Sequence, residues 1–461
     1  MLTAPTVGQP TVGQPATAIP RRMRRVSHRG EPPMEYFAIE GGHPLKGTFV
    51  PAGNKNAALP ILCACLLTDQ EIRLHNLPAI RDVETMLCLL GDLGVEMERL
   101  GPNDLVVRAR KLTGTDLRPE MCRQIRASLL LAGPLLARCG HVHLPTPGGD
   151  IIGRRRVDTH LLALEALGAK TRAAPSGYAL TSSGRLRGQD IFLDETSVTA
   201  TENALMAAAT AKGRTAIRNA ASEPHVQDLA RFLNSLGAKI SGIGTNVLTV
   251  DGVDGLSGGD YRIGTDHTEV ASIMALAAVT GSEITVANVV PEDLRMIRLV
   301  FHRLGINAEV QGNSLVIPPR QKLKIISDVH GAIPKIESSP WPGFPTDLIS
   351  IVIVVATQAR GTVIVFEKMF EGRMFFVDKL LSMGARIVLC DPYRVVVTGP
   401  SALHGEEMVS PDIRAGVALL IAALCAEGQS TIRNVGQIDR GYERIEERLR
   451  LLGAHIQRIR E

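Results

Sequence analysis

Residues 413–433 read IRAGVALLIAALCAEGQSTIR, and residues 449–453 close the same stretch with LRLLG. The run Ala415–Ala426 is apolar nearly all round, which marks a helix buried on every side. Gly428 ends it, and Ser430–Arg433 has the character of a short strand. A loop and an amphipathic helix follow, stopped at Leu452-Gly453, where glycine can take the left-handed cap conformation. Working outward, the same Leu/Met-Gly mark recurs at Gly94, Gly168, Gly237, Gly305 and Gly384, with gaps of 74, 69, 68, 79 and 69 residues up to Gly453. A second mark lies about 25 residues before each, at Asp69, Gly140, Gly213, Gly281, Gly361 and Gly428. Strands are expected after these marks, at Glu71–Leu74, His141–Leu144, Thr215–Arg218, Glu283–Ala287, Thr362–Phe366 and Ser430–Arg433.

The body of the chain is therefore six copies of one unit. A single unit cannot bury its apolar face, but three around an axis, helices inside and sheets outside, can. Two sets of three predict an α/β protein of two domains, and the length of 461 residues fits two or three. The apolar helices open on polar residues: Lys55-Asn56, Arg126, Thr201-Glu202-Asn203, Asp266-His267-Thr268-Glu269, Asp347 and Asp412-Arg414. Helix N-termini carry unpaired N–H groups and the positive end of the dipole. If all six face the other half, they build an anion-binding cleft interspersed with carboxylates.

Composition bounds the alternatives. Hydrophobic residues are 45% and charged residues 21%, the balance of a globular chain. Lys plus Arg exceeds Asp plus Glu by only 4, and aromatics are 3%, which argues against a nucleic-acid partner. Seven cysteines without paired spacing read as small buried hydrophobes of a reduced, cytoplasmic protein. No apolar run reaches the ~18 residues of a membrane span. Residues 1–34 differ, with a tandem TVGQP, an Arg cluster (Arg21, Arg22, Arg24, Arg25) and Pro32-Pro33, and read as a disordered appendage.

Several stretches carry chemistry. GNKNAALP (53–60) sets Lys55 and Asn56 at a helix start, suited to a phosphate. PGGDIIGRRRVD (147–158) joins a glycine-rich loop to Asp150 and three Arg; such a loop can close over a substrate while its Asp donates a proton and its Arg clamp phosphate. FPTD (344–347), FEGR (370–373), PDIRAG (411–416) and IDRGYERIE (438–446) add Asp347, Arg373, Asp412, Arg414 and Arg440, a set suited to a small polyanion. His141-x-His143 points two rings to one face of a strand, but with no third ligand evident no metal is expected. A G-x-x-x-x-G-K phosphate loop is missing, so nucleotide hydrolysis is unsupported.

These motifs, with SVTATEN (197–203), stand in the order of the enolpyruvyl transferases, and from Met34 to Glu461 the chain resembles that family, in particular its branch acting on UDP-N-acetylglucosamine. The resemblance implies two inside-out α/β domains, each of three repeated βαβαββ-type units: residues 35–54 plus 264–461 form one, and 55–263 the other, which carries a mobile loop at 147–156. It implies transfer of the enolpyruvyl group of phosphoenolpyruvate to a sugar 3′-hydroxyl through a tetrahedral ketal, releasing phosphate, as the first committed step of peptidoglycan synthesis, without a cofactor. By the same resemblance Asp347 is the base. Lys55, Arg126, Arg155 and Arg440 meet the phosphate, Arg373 and Arg414 the carboxylate, and Asn56 the sugar. Asp412 lies beside the reacting carbon, and Val157, Asp158, Ser197 and Val198 line the nucleotide pocket.

Most members have Cys where this chain has Asp150; that Cys is the loop acid and the site alkylated by fosfomycin. A carboxylic acid can transfer the proton but is a poor target for an epoxide, so an active, fosfomycin-insensitive enzyme is expected. Arg156 and Glu195 also depart from common residues near the nucleotide pocket and leave room for a different acceptor. The alternatives are a paralogue using another nucleotide sugar or shikimate 3-phosphate, and a non-catalytic ligand-binding homologue.

Overall fold

The computed structural model describes residues 35–150, 152–174 and 176–461. The appendage expected at 1–34 lies outside the described residues. The six apolar helices run α1 (Lys55–Ala64), α2 (Ala132–Cys139), α3 (Val198–Ala209), α4 (His267–Val279), α5 (Ile349–Gln358) and α6 (Ile413–Cys425). Among the described residues, five four-stranded sheets and one three-stranded sheet surround them. Every Leu/Met-Gly mark is left-handed, with φ of +86, +103, +99, +89, +97 and +96° from Gly94 to Gly453. Each stops an amphipathic helix and turns the chain into the next strand or loop.

Burial follows the apolar patterning. All residues of α6 from Ile413 to Leu424 are buried, as is α5 from Ile349 to Thr357. Helices α4, α5 and α6 pack on one another, and α2 packs on α3, while the sheets lie outside them. The buried apolar side chains form two separate clusters. One joins Phe37, Ile39, Leu45 and Phe49 to residues 270–456; the other spans 57–263.

Strand register explains how the N-terminal residues reach the C-terminal half. Strand Glu35–Glu40 runs antiparallel between Gln429–Arg433 and His455–Arg460. Lys46–Phe49 pairs in parallel with Glu283–Val286. Gly259–Arg262 crosses the other way, pairing in parallel with Glu71–His75. Four of the repeats carry a further mark: Asn76, Asn219, Asn288 and Asn434 all have positive φ just beyond the unit's first strand. The short polar side chain of Asn tolerates this conformation.

The helix openings divide into two kinds. Asn54, Ser197, Asp266 and Asp412 are N-caps whose side chains accept backbone N–H bonds of α1, α3, α4 and α6. Arg126 and Asp347 instead lie in 3-10 turns, Arg126–Leu131 and Thr346–Leu348, that lead into α2 and α5. Their side chains are free for other partners.

Candidate active site

The helix openings of both cores line one cleft of about 850 Å³. Lys55, Asn56, Arg126, Asp150, Arg155, Asp158, Ser197, Val198, Asp347, Arg373, Arg414 and Arg440 all line it. Two residues picked from the sequence do not. Asp412 is spent as the α6 cap, its Oδ1 accepting from the backbone N–H of Arg414 at 2.8 Å and Ala415 at 3.0 Å, and burial raises its pKa. Val157 packs against the core of 57–263.

A chain of charges crosses the cleft. Lys55 Nζ lies 2.7 Å from Asp82 Oδ2, and Arg440 Nε donates to Asp82 Oδ1 at 2.9 Å. Arg440 also pairs with Asp150 on the glycine-rich loop. Burial alone would raise the Asp82 pKa, but Lys55 and Arg440 outweigh it and hold the carboxyl below its ordinary range. Asp82 is absent from the motifs read in the sequence, where it looks like an ordinary acid in the first turn of an amphipathic helix (Arg81–Asp92).

The loop is seated on both walls. Gly372 donates its backbone N–H to Ile152 O at 2.9 Å, and Arg154 donates its own to Glu371 Oε1 at 3.1 Å. A Cβ on Gly148 would lie 1.7 Å from Arg123 O, so only glycine permits that backbone approach. Arg155 and Arg373 both lie over the Phe370 ring, at 6.0 and 5.4 Å. Burial lowers the Arg155 pKa. Arg126, pushed down to about 10 by burial and by Arg155, donates to the carbonyls of Arg155 and Arg156.

Asp347 forms the second cluster. Its Oδ1 accepts from Arg373 Nη2 at 2.6 Å and its Oδ2 from Arg414 Nε at 3.0 Å. Burial opposes its ionisation, but the two guanidinium groups win and hold its pKa far below the carboxylate range. Arg414 also reaches the Tyr442 hydroxyl at 3.2 Å. Without a ligand, Asp347 is thus a strongly paired carboxylate.

The other end of the cleft holds groups that sequence reasoning gave no role. Among the described residues, Glu202 Oε1, Glu223 Oε2 and His225 Nδ1 are buried without a hydrogen-bond partner, and all three residues line the cleft. Burial drives both Glu pKa values up and that of His225 down to about 3. His267 stacks on His225 at 6.3 Å and meets Trp341 edge-on at 6.0 Å. Glu202 and His267 were visible as polar openings of apolar helices; Glu223, His225 and Trp341 lie in connecting segments or begin a surface helix, without a distinctive pattern. Arg156 binds Asp194 at 2.7 Å and approaches Asp158 at 3.5 Å and Glu195 at 3.9 Å, so both departures noted near the nucleotide pocket belong to one ion-pair network.

Two cores of inward helices, with a cation-rich cleft between their helix openings, are the architecture of enolpyruvyl transferases. The fold is similar to that of the enolpyruvyl transferase NikO from Streptomyces tendae, with a TM-score of 0.83 at 24% identity, covering 93% of this chain and 100% of that one. It is also similar to EPSP synthase from Acinetobacter baumannii, with a TM-score of 0.70 at 17% identity, covering 92% of this chain and 100% of that one. Among curated relatives, the UDP-N-acetylglucosamine 1-carboxyvinyltransferase of Bradyrhizobium diazoefficiens is 58% identical over 93% of this chain and 99% of that one. The enzyme of the same name from Treponema denticola is 52% identical over 92% of this chain and 99% of that one. The chain belongs to the family described as EPSP synthase (3-phosphoshikimate 1-carboxyvinyltransferase), whose model matches residues 39–449, and within it to the group of these relatives.

Proposed function

We propose that the protein transfers the enolpyruvyl group of phosphoenolpyruvate to the 3′-hydroxyl of UDP-N-acetylglucosamine and releases phosphate. The observation that carries this reading is the pairing of two acid–cation clusters in one cleft: Asp150 with Arg440, Asp82 and Lys55, and Asp347 with Arg373 and Arg414. The high identity to relatives of that activity supports the choice of acceptor.

The chemistry follows from competition for the cations. A phosphate between Lys55, Arg155 and Arg440 draws Arg440 from Asp150 and frees that carboxyl for proton transfer. A substrate carboxylate at Arg373 and Arg414 draws them from Asp347, whose proton affinity then rises to that of a useful base. Asp347 takes the acceptor hydroxyl proton as its oxygen bonds to C2 of phosphoenolpyruvate. The C2=C3 electron pair takes a proton from Asp150, giving the ketal. In the elimination, the Asp150 carboxylate left by that transfer takes up a methyl proton as the C2–O bond to phosphate breaks, restoring the double bond. The surrounding cations hold the departing charge.

In this account Asn56 contacts the sugar, while Asp158, Ser197, Val198 and, from behind, Val157 shape the nucleotide end. Asp412 acts through the α6 opening it caps. The two cores act as two domains, 35–54 plus 264–461 against 55–263, and the 147–156 loop closes between them. By this reading the reaction is the committing step of peptidoglycan synthesis, run in the cytoplasm; no helix among the described residues is long and apolar enough to cross a membrane.

The test is phosphate release from phosphoenolpyruvate with UDP-N-acetylglucosamine, compared with shikimate 3-phosphate and repeated with Asp150→Asn. Release with the nucleotide sugar alone, lost in Asp150→Asn, is expected. Release only with shikimate 3-phosphate would overturn the acceptor, and unchanged release in Asp150→Asn would remove Asp150 as the acid.

A further inference from the structure

We propose that Glu40, His43 and His455 form a surface site for a borderline divalent transition-metal ion such as zinc, away from the catalytic cleft. The three residues each offer one donor atom, and these atoms all lie within 4.8 Å of one another. Sequence reading could not find the set, because His455 lies at the far end of the chain. Strand register brings it there: Glu40 and His455 are directly opposite on antiparallel strands, so both side chains leave the same face of the sheet.

His43 is placed by a tight backbone turn. The N–H groups of Gly41 and Gly42 donate to Gly428 O and Leu424 O, at 3.1 and 3.0 Å. A Cβ on Gly41 would lie 2.2 Å from Ala423 O, so the turn is pressed onto the end of α6. The imidazole positions are thus set by a sheet edge and a buried helix, which is how a site is preorganised.

The distances suit a metal. Glu40 offers Oε1 to His43 Nε2 at 3.6 Å and Oε2 to His455 Nδ1 at 3.4 Å. Tetrahedral zinc with ligands at about 2.0–2.1 Å requires donors about 3.3–3.4 Å apart. The two rings lie with centroids 4.2 Å apart and tilted by 39°. Two imidazoles and one carboxylate favour zinc, nickel or copper over magnesium or calcium. All three side chains are about half exposed, which leaves the remaining coordination to water. An ion here would tie strand Glu35–Glu40 to the last strand of the chain.

Calorimetric titration of the full chain with zinc chloride tests this. Wild type is expected to bind an ion that is lost, or weakened more than about tenfold, in His43→Ala and in Glu40→Gln/His455→Ala. His141→Ala, which halves the other close His pair in the sequence, should leave the isotherm unchanged, and magnesium should not compete. These exposed substitutions should leave phosphate release and the circular dichroism spectrum as in wild type. Indistinguishable isotherms for wild type and His43→Ala/His455→Ala, including no binding in either, would overturn the proposal.

Discussion

Asp82→Ala is the sharpest perturbation of the charge chain. Asp82 and Lys55 are 4% and 8% exposed, and the carboxylate stands between Lys55 at 2.7 Å and Arg440 at 2.9 Å. Its removal leaves two cations in low dielectric beside one another, with Asp150 as the remaining acid partner of Arg440. Breaking a buried pair in this way costs about 3–5 kcal/mol. Asp82→Asn keeps the volume and one acceptor oxygen, so it should cost less. Lys55 and Arg440 also lose their fixed positions, and a displacement of about 1 Å of such groups can lower turnover roughly 100-fold. Urea unfolding gives the stability and phosphate release the turnover. Saturating inorganic phosphate should stabilise Asp82→Ala more than wild type, since the anion replaces the missing charge between the two cations. An unchanged urea midpoint together with unchanged turnover would refute the claim that Asp82 holds these groups.

The other predictions follow from single contacts. Asp150→Cys should remain active and become inactivated by fosfomycin, to which the wild type should be resistant; covalent labelling followed by mass spectrometry decides it. Gly148→Ala forces a Cβ against the Arg123 carbonyl and must shift the loop, so phosphate release should fall at least tenfold; wild-type turnover would show that the loop seat does not set Asp150. Buried histidines should destabilise the fold on acidification below pH 6.5, against an opposing contribution from Glu202 and Glu223, whose carboxyl groups burial holds above their ordinary range. His160 and His225 are held neutral by burial, with pKa values of about 3, whereas the unfolded chain takes up their protons near 6.5. Each therefore removes about 1.4 kcal/mol per pH unit between those limits. Asp82 and Asp347, held below their unfolded pKa of 3.8, add a further loss only below that value. Urea midpoints that fall no more steeply from pH 7 to 5 in wild type than in His160→Gln/His225→Gln would contradict the histidine contribution.

The fold was legible because the repeat is written in residues with strong local physics. The six cap glycines sit at the positive φ that their Leu/Met-Gly context implies. The apolar helices were equally plain, since a segment such as Ile349–Thr357 has no polar face to present to water. The cleft lining was legible where a motif joins a charge to a helix start, as at Lys55 and Arg414. It was illegible where function arises from tertiary approach. Asp82 gains meaning from Lys55 and from Arg440, the latter 358 residues away, and the buried oxygens of Glu202 and Glu223 only from burial against the cleft. Asp412 illustrates the reverse: the sequence sets it at a helix opening among the chemical residues, yet its carboxylate caps α6 and the residue does not line the cleft.

The most direct test of the central claim is the reaction run in deuterium oxide with phosphoenolpyruvate and UDP-N-acetylglucosamine, the product analysed by mass spectrometry and proton NMR. Protonation of C3 and loss of one of three methyl hydrogens must place deuterium in the vinyl methylene. One phosphate is expected for every enolpyruvyl ether formed, with that methylene deuterated. No ether on the nucleotide sugar, or an ether whose methylene carries no deuterium, would contradict it.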